Sequence, residues 1–201
     1  MADKLDPDAA LMLRVKQGDV RAFEELVDKY KRPVTNLIYR TLPDPTEAED
    51  LAQSVFIQVF KSAERYKVTA KFSTWLFTIA RNLCLNEIRR RGRHPAESLD
   101  MLQEDKEEAG GKQIEDRTVP EASGALLSHE LTSKVAEAVA ALPENQRTAL
   151  LLYQEEELSY EEIAEIIGVS LSATKSLIHR ARETLKHRLK PYLKTGEWGE
   201  E

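Results

Sequence analysis

The 201-residue chain has a single cysteine, Cys84, so an internal disulfide and a thiolate metal cluster are both excluded. A lone cysteine of this kind is expected inside the core as a small apolar group. His94, His129, His179 and His187 are too scattered to suggest a metal site. No apolar run approaches the roughly 20 residues that a membrane-spanning helix needs. The opening "MADKLDPDAALMLRV" lacks the basic start and apolar centre of a signal peptide. A cytoplasmic location without membrane insertion is therefore expected. The eight glycines supply no phosphate-cradling loop, and no sustained alternation marks a strand. No acid, base and nucleophile form a nameable constellation, so no enzyme activity, cofactor or metal is expected.

What is present is helical periodicity. Phe23, Leu26, Val27 and Tyr30 form one stripe after Asp19, an N-cap that follows the helix-ending Gly18. Pro33 is expected to kink or break that helix before Val34, Leu37 and Ile38 resume the pattern. In "TEAEDLAQSVFIQVFKSAERY", Thr46 and Glu49 have capping-box spacing, and Leu51, Val55, Val59 and Phe60 mark a buried stripe. Leu131, Val135, Ala138 and Leu142 outline a later helix, which Pro143 ends while starting the next.

Charge divides the chain. Of its net charge of −6, the stretch 95–125 supplies the whole excess, with nine acidic residues against three basic ones. Its composition cannot bury enough apolar surface to offset chain entropy, which predicts a flexible linker. The expected architecture is all-α: a helical domain over 1–94, an acidic flexible linker over 95–125, a second helical domain over 126–195 and a tail over 196–201.

The second domain carries the most specific local pattern, "SYEEIAEIIGVSLSATKSLIHRARETLKHRL". Ser159 and Glu162 can cap a helix reciprocally, Ile163, Ala164 and Ile167 face inward, and Gly168 makes a tight turn. A second helix then begins near Ser170 or Leu171, with Leu171, Thr174, Ile178, Ala181 and Leu185 inward. This is a helix-turn-helix pattern. The outward face of its second helix holds Ser172, Lys175, Ser176, His179, Arg180 and Arg182, the candidate DNA contacts. Lys175 can donate to guanine O6 and N7, Ser176 suits either kind of base edge, and Arg180, Arg182, Lys186 and Arg188 suit phosphates.

These blocks and their order resemble the extracytoplasmic-function (ECF) sigma factors of bacterial RNA polymerase. "LVDKYKRPVTNLIY", "EAEDLAQSVFIQVF" and "FSTWLFTIARNLCLNEIRRRGR" look like that group's first domain. "LPENQRTALLLYQEEELSYEEIAEIIGVSLSATKSLIHRAR" looks like its last. The resemblance implies a promoter-specificity subunit without covalent chemistry, binding core RNA polymerase (clamp and flap) and promoter DNA. It also implies an anti-sigma factor as partner.

The first domain would melt and capture the −10 element, which explains why aromatic and cationic groups share one segment of an acidic protein. Unpaired bases need stacking platforms and polar edges beside a cationic backbone track. The resemblance assigns single-strand contacts to Tyr66, Lys71, Trp75, Asn82, Arg89, Arg90, Arg91 and Arg93. Tyr66 would stack and Asn82 would bond an extruded base. It assigns polymerase binding to Glu49, Asp50, Gln53, Ser54 and Ile57, and flap contact to the stretch around Leu142 to Leu152. Three positions depart from the usual pattern: Ser54 for Glu, Thr174 for Val, and Lys175 for Arg. A conventional helix-turn-helix regulator and a polymerase-binding decoy are the alternatives. The first leaves the Asn82 face unexplained; the second conflicts with the intact Asn82 and basic helix.

Overall fold

A computed structural model describes residues 5–42, 44–93, 122–154 and 158–195. Most of the expected linker, His94 and the 196–201 tail lie outside the described residues. Among those residues, helices and one 3-10 turn supply the regular structure, in agreement with the all-α expectation.

Helix α1 (Pro7–Lys16) starts at the N-cap Asp6 with proline in its first turn, where no N–H is needed. Gly18, at φ 92°, turns the chain, and Asp19 caps α2 (Val20–Thr41) by accepting from Ala22 N at 3.1 Å. Of the two outcomes expected at Pro33, the break does not occur, and α2 runs through it as one helix. Its apolar stripe continues on both sides, with Leu26, Tyr30, Val34, Leu37 and Ile38 all buried. That packing outweighs the roughly 3 kcal/mol that an internal proline costs.

Helix α3 (Pro45–Lys61) is capped by Asp44, which accepts from Glu47 N at 3.1 Å, and not by Thr46 as the capping-box spacing suggested. Asp44 followed by Pro45 is the stronger start signal, because proline fits the first helical position. Val55 and Val59 are buried as expected, whereas Phe60 is 52% exposed. After a 3-10 turn (Ala63–Arg65), α4 (Phe72–Arg93) completes the first unit.

The second unit comprises α5 (Ala122–Ala140), α6 (Glu144–Tyr153), α7 (Tyr160–Ile167) and α8 (Leu171–Thr195). Helix α5 thus takes in residues 122–125, which the sequence placed in the linker. Of the residues that outlined it, Leu131 and Val135 are exposed, whereas Ala138 and Leu142 are buried.

The helix-turn-helix forms as its local signals direct. Ser159 and Glu162 make the reciprocal cap of α7, and Gly168 ends the helix at φ 77°, a conformation that favours glycine. Thr174, Ile178 and Ala181 seat α8, and the buried Thr174 hydroxyl donates to Ser170 O at 3.2 Å. Its departure from the usual valine therefore leaves no buried hydroxyl unpaired.

The two units lie against each other. Helix α7 packs on α4, and α5 and α6 pack on α2, so one hydrophobic core runs from α1 to α8. Lys71 Nζ lies 3.1 Å from Glu162 Oε1, Thr74 Oγ1 donates to the same oxygen at 3.5 Å, and Arg40 bonds Gln154.

Candidate nucleic-acid interface

The outward face of α8 emerges as the spacing predicts. Ser172, Lys175, Ser176, His179, Arg180 and Arg182 are all exposed, while the opposite face is anchored in the core. Lys175, Ser176, His179 and Arg180 line one shallow groove. A second groove continues along the helix past His179, Arg180, Glu183, His187 and Arg188 to Gln146 of α6. An α-helix with polar and cationic side chains along one open face has the shape and chemistry to enter a major groove.

Two tyrosines that the sequence reading did not single out support this face. Lys175 Nζ sits 5.7 Å from the Tyr160 ring centre, Arg182 Cζ sits 4.5 Å from that of Tyr153, and the two rings are 5.2 Å apart. The hydrogen bond between the phenols lowers the pKa of Tyr153 and raises that of Tyr160. Arg182 adds to the lowering at Tyr153.

On α4, Trp75 is half-buried, and Asn82 and Arg89 are exposed at two-turn intervals along the helix. Tyr66 is placed differently from an open stacking platform. It is only 4% exposed, wedged 4.9 Å from the Trp75 ring and 6.4 Å from that of Phe72. Burial, with the Asp6 and Asp8 carboxylates adding to it, pushes its pKa up to about 12. In this conformation the side chain walls the 66–71 loop from inside. Base stacking would require it to swing out.

Helix α1 fixes that loop. Asp6 Oδ2 accepts from Phe72 N at 2.8 Å, capping α4 as well as its own helix, and Lys16 Nζ donates to Tyr66 O at 3.0 Å. Behind it, Asp8 Oδ2 takes Lys29 Nζ at 2.6 Å and the Tyr30 hydroxyl at 2.5 Å. Asp6 followed by Pro7 starts α1, a cap not singled out from the sequence. Its second helix end, 66 residues away, had no sequence signal.

The arginines at the end of α4 are unequal. Arg91 is ion-paired to Glu47 of α3 and lies 3.3 Å from Glu87, and Arg90 bonds Glu87 at 2.8 Å. Arg91 therefore ties α4 to α3, and its use as a phosphate contact would require these pairs to part. Arg89 stays exposed; the side chain of Arg93 lies outside the described residues. Lys71 is exposed but engaged with Glu162.

On α3, Glu49, Asp50, Gln53, Ser54 and Ile57 share one exposed face, with Ile57 52% exposed. Phe60 extends it, its ring 5.1 Å from that of Phe23. This apolar end was missed because Phe60 directly follows buried Val59 and was counted into the stripe of Val55 and Val59, although it is turned about 100° from Val59 around the helix. In the stretch around Leu142 to Leu152, Leu142, Leu150, Leu151 and Leu152 are core residues, while Pro143, Glu144 and Asn145 are exposed.

Residues 26–94 match sigma-70 region 2, and residues 132–185 match sigma-70 region 4. The chain is 38% identical over 190 residues to the RNA polymerase sigma-H factor of Pseudomonas aeruginosa, covering 94% of this chain and 97% of that one. The chain belongs to the ECF sigma factors of the sigma-70 family. Further relatives are the ECF RNA polymerase sigma-E factor of Haemophilus influenzae and the factor SigW of Bacillus subtilis. The first is 37% identical, covering 96% of this chain and all of that one. The second is 36% identical, covering 88% and 94%.

Among solved structures, the sigma factor RpoE of Bartonella quintana, in complex with the anti-sigma factor NepR, superposes with a TM-score of 0.62. It is 26% identical and covers 84% of this chain and 96% of that one. CnrH, in complex with the cytosolic domain of CnrY, shares the fold at a TM-score of 0.68, 20% identity and coverage of 92% and 99%. In this sigma factor the region 2 match spans α4 with Asn82, and the region 4 match spans the helix-turn-helix. A helix-turn-helix regulator acting without polymerase leaves the region 2 match without a role.

Proposed function

We propose that this sigma factor directs promoter-specific initiation by reading the −35 duplex with α8 and a melted −10 strand with α4. The supporting observation is the one-sided α8, with Ser172, Lys175, Ser176, His179, Arg180 and Arg182 outward and Thr174, Ile178 and Ala181 inward. Lys175, Ser176 and His179 address base edges; Arg180 and Arg182 address phosphates. On α4, Asn82 bonds an extruded base, Trp75 flanks it, and Lys71, Arg89, Arg90 and Arg93 attract the backbone.

Strand opening is driven by binding free energy without covalent chemistry. The polymerase clamp docks on Glu49, Asp50, Gln53, Ser54 and Ile57, with Phe60 as a second apolar anchor; an acidic face with apolar centres complements a basic surface. Exposed Leu131 and Val135 of α5 are the apolar groups offered to the flap. An anti-sigma partner that covers the α3 face would block recruitment. The setting is the cytoplasm, where the polymerase acts; no helix among the described residues is long and apolar enough to cross a membrane.

The test is run-off transcription from a genomic promoter library with core polymerase, comparing the native chain with Asn82→Ala. New start sites sharing paired upstream elements are expected. Losing one base-specific contact worth about 1–3 kcal/mol should weaken them roughly five- to hundredfold in Asn82→Ala. Core binding with no new transcripts would overturn the proposal.

A further inference from the structure

The strongest unassigned feature is the ladder of four side chains that crosses all three helices of the helix-turn-helix unit. Tyr153 closes α6 and Tyr160 opens α7, while Lys175 and Arg182 stand two turns apart on α8. Each cation lies over one ring, at 5.7 Å for Lys175 on Tyr160 and 4.5 Å for Arg182 on Tyr153. The rings themselves are 5.2 Å apart and tilted by 33°.

We propose that Tyr160 and Tyr153 are positioning residues for promoter reading. Tyr160 holds the Lys175 ammonium at its base-edge position, and Tyr153 holds the Arg182 guanidinium against a phosphate. The proposal rests on the assignment of α8 as the −35 reading helix.

The physical reason is that an aromatic face can order a cation without neutralising it. Lysine is a point charge on a flexible stem, and a wandering ammonium distinguishes bases poorly. A carboxylate would fix it but compete with the guanine acceptors and phosphates for the same charge. The chain uses both solutions. Lys71 faces Glu162, and Arg90 and Arg91 face Glu87. Among the described residues Lys175 and Arg182 have no carboxylate partner and rest on rings instead. The ring quadrupole attracts the cation without placing a competing carboxylate beside it. The two rings lie 5.2 Å apart and tilted by 33°, so one aromatic platform underlies both cations.

The consequences differ for the two tyrosines. Loss of the Tyr160 ring should relax selectivity at the base pairs facing Lys175. Loss of the Tyr153 ring should weaken binding to all sequences alike and flatten its salt dependence, because Arg182 serves phosphates.

The experiment measures affinity of the polymerase holoenzyme for a promoter recovered from run-off selection and for the same promoter with single −35 base-pair substitutions. The variants are Tyr160→Leu, Tyr160→Phe, Tyr153→Leu, Lys175→Met and the double variant Tyr160→Leu/Lys175→Met. Tyr160→Leu should lose about three- to tenfold of discrimination at one or two −35 positions, and Tyr160→Phe should retain most of it. In the Lys175→Met background, Tyr160→Leu should cost no further discrimination. This coupling separates positioning from a general loss of stability, which would lower affinity for every sequence and persist without Lys175.

Unchanged discrimination in Tyr160→Leu, with Lys175→Met still relaxing it, would overturn the positioning role and leave the −35 assignment standing. No effect of Lys175→Met on discrimination would overturn that assignment and the proposal with it.

Discussion

Asp6 shows how much one carboxylate can hold. One side chain caps α1 and accepts from Phe72 N at the start of α4, so it fixes the entry to the base-capturing helix. Removing an N-cap costs about 0.5–2 kcal/mol. Asp6→Ala should therefore destabilise the fold by about that amount or slightly more, since two helix ends lose an acceptor; chemical denaturation followed by circular dichroism measures it. Asp6→Ala should also weaken open-complex formation more than polymerase binding, because the α3 face does not touch this cap.

Cys84 is the opposite case, a residue with no reactive task. It is 2% exposed, and burial pushes its thiol up to about 12, so it stays protonated at neutral pH. A thiol reagent should modify native protein only at the rate of unfolding, and denaturant should make the reaction immediate. Rapid native labelling would contradict the buried placement.

Helices were read correctly where local rules govern them. The reciprocal cap of Ser159 and Glu162, the left-handed Gly168 and the inward Thr174, Ile178 and Ala181 all followed from spacings of three and four residues. Thr174 also yields an element-level prediction. Its hydroxyl donates to Ser170 O, which already accepts from Thr174 N at 2.9 Å. Thr174→Val therefore strands no backbone group and should change stability by less than about 1 kcal/mol, in either direction. Thermal unfolding checks this.

Local rules failed where a competing term was larger. Pro33 was read as a kink or a break, and a break does not occur, because the buried stripe from Tyr30 through Val34 to Ile38 carries α2 past it. Phe60 was read as core, but its ring meets only the edge of the fold at Phe23 of α2 and stays 52% exposed. Periodicity states that a face is apolar; it does not say whether anything covers it.

Across the whole molecule, the packing of α7 on α4 links the −10 reading unit to the −35 reading unit. Lys71 faces Glu162 there, so its use as a DNA contact requires this pair to part. Burial alone would raise the Glu162 pKa, but the Ser159 backbone N–H and the Lys71 ammonium outweigh it and hold the carboxyl below its usual 4.5. A depressed carboxylate pKa stabilises above the ordinary value and loses that contribution as pH falls through the folded one. The cap of α7 and the Lys71 contact should therefore be intact at neutral pH and weaken below about pH 4.5. Small-angle scattering should show expansion there, or at neutral pH in Glu162→Gln. Lys71 is exposed, so the pair itself contributes under about 1 kcal/mol and the expansion should be partial.

The sequence by itself determined the helical class, the capped helix-turn-helix, the polar face of α8 and the exposed Asn82. Each depends on residues within about one or two helical turns of one another, where backbone geometry alone sets which side chains share a face. Only the tertiary structure decided that Tyr66 is buried, that Arg91 ties α4 to α3, and that Tyr160 and Tyr153 underlie Lys175 and Arg182. It also decided that Arg40 meets Gln154, 114 residues away. These contacts join groups brought together by packing, and no local spacing encodes which distant partner a side chain will find.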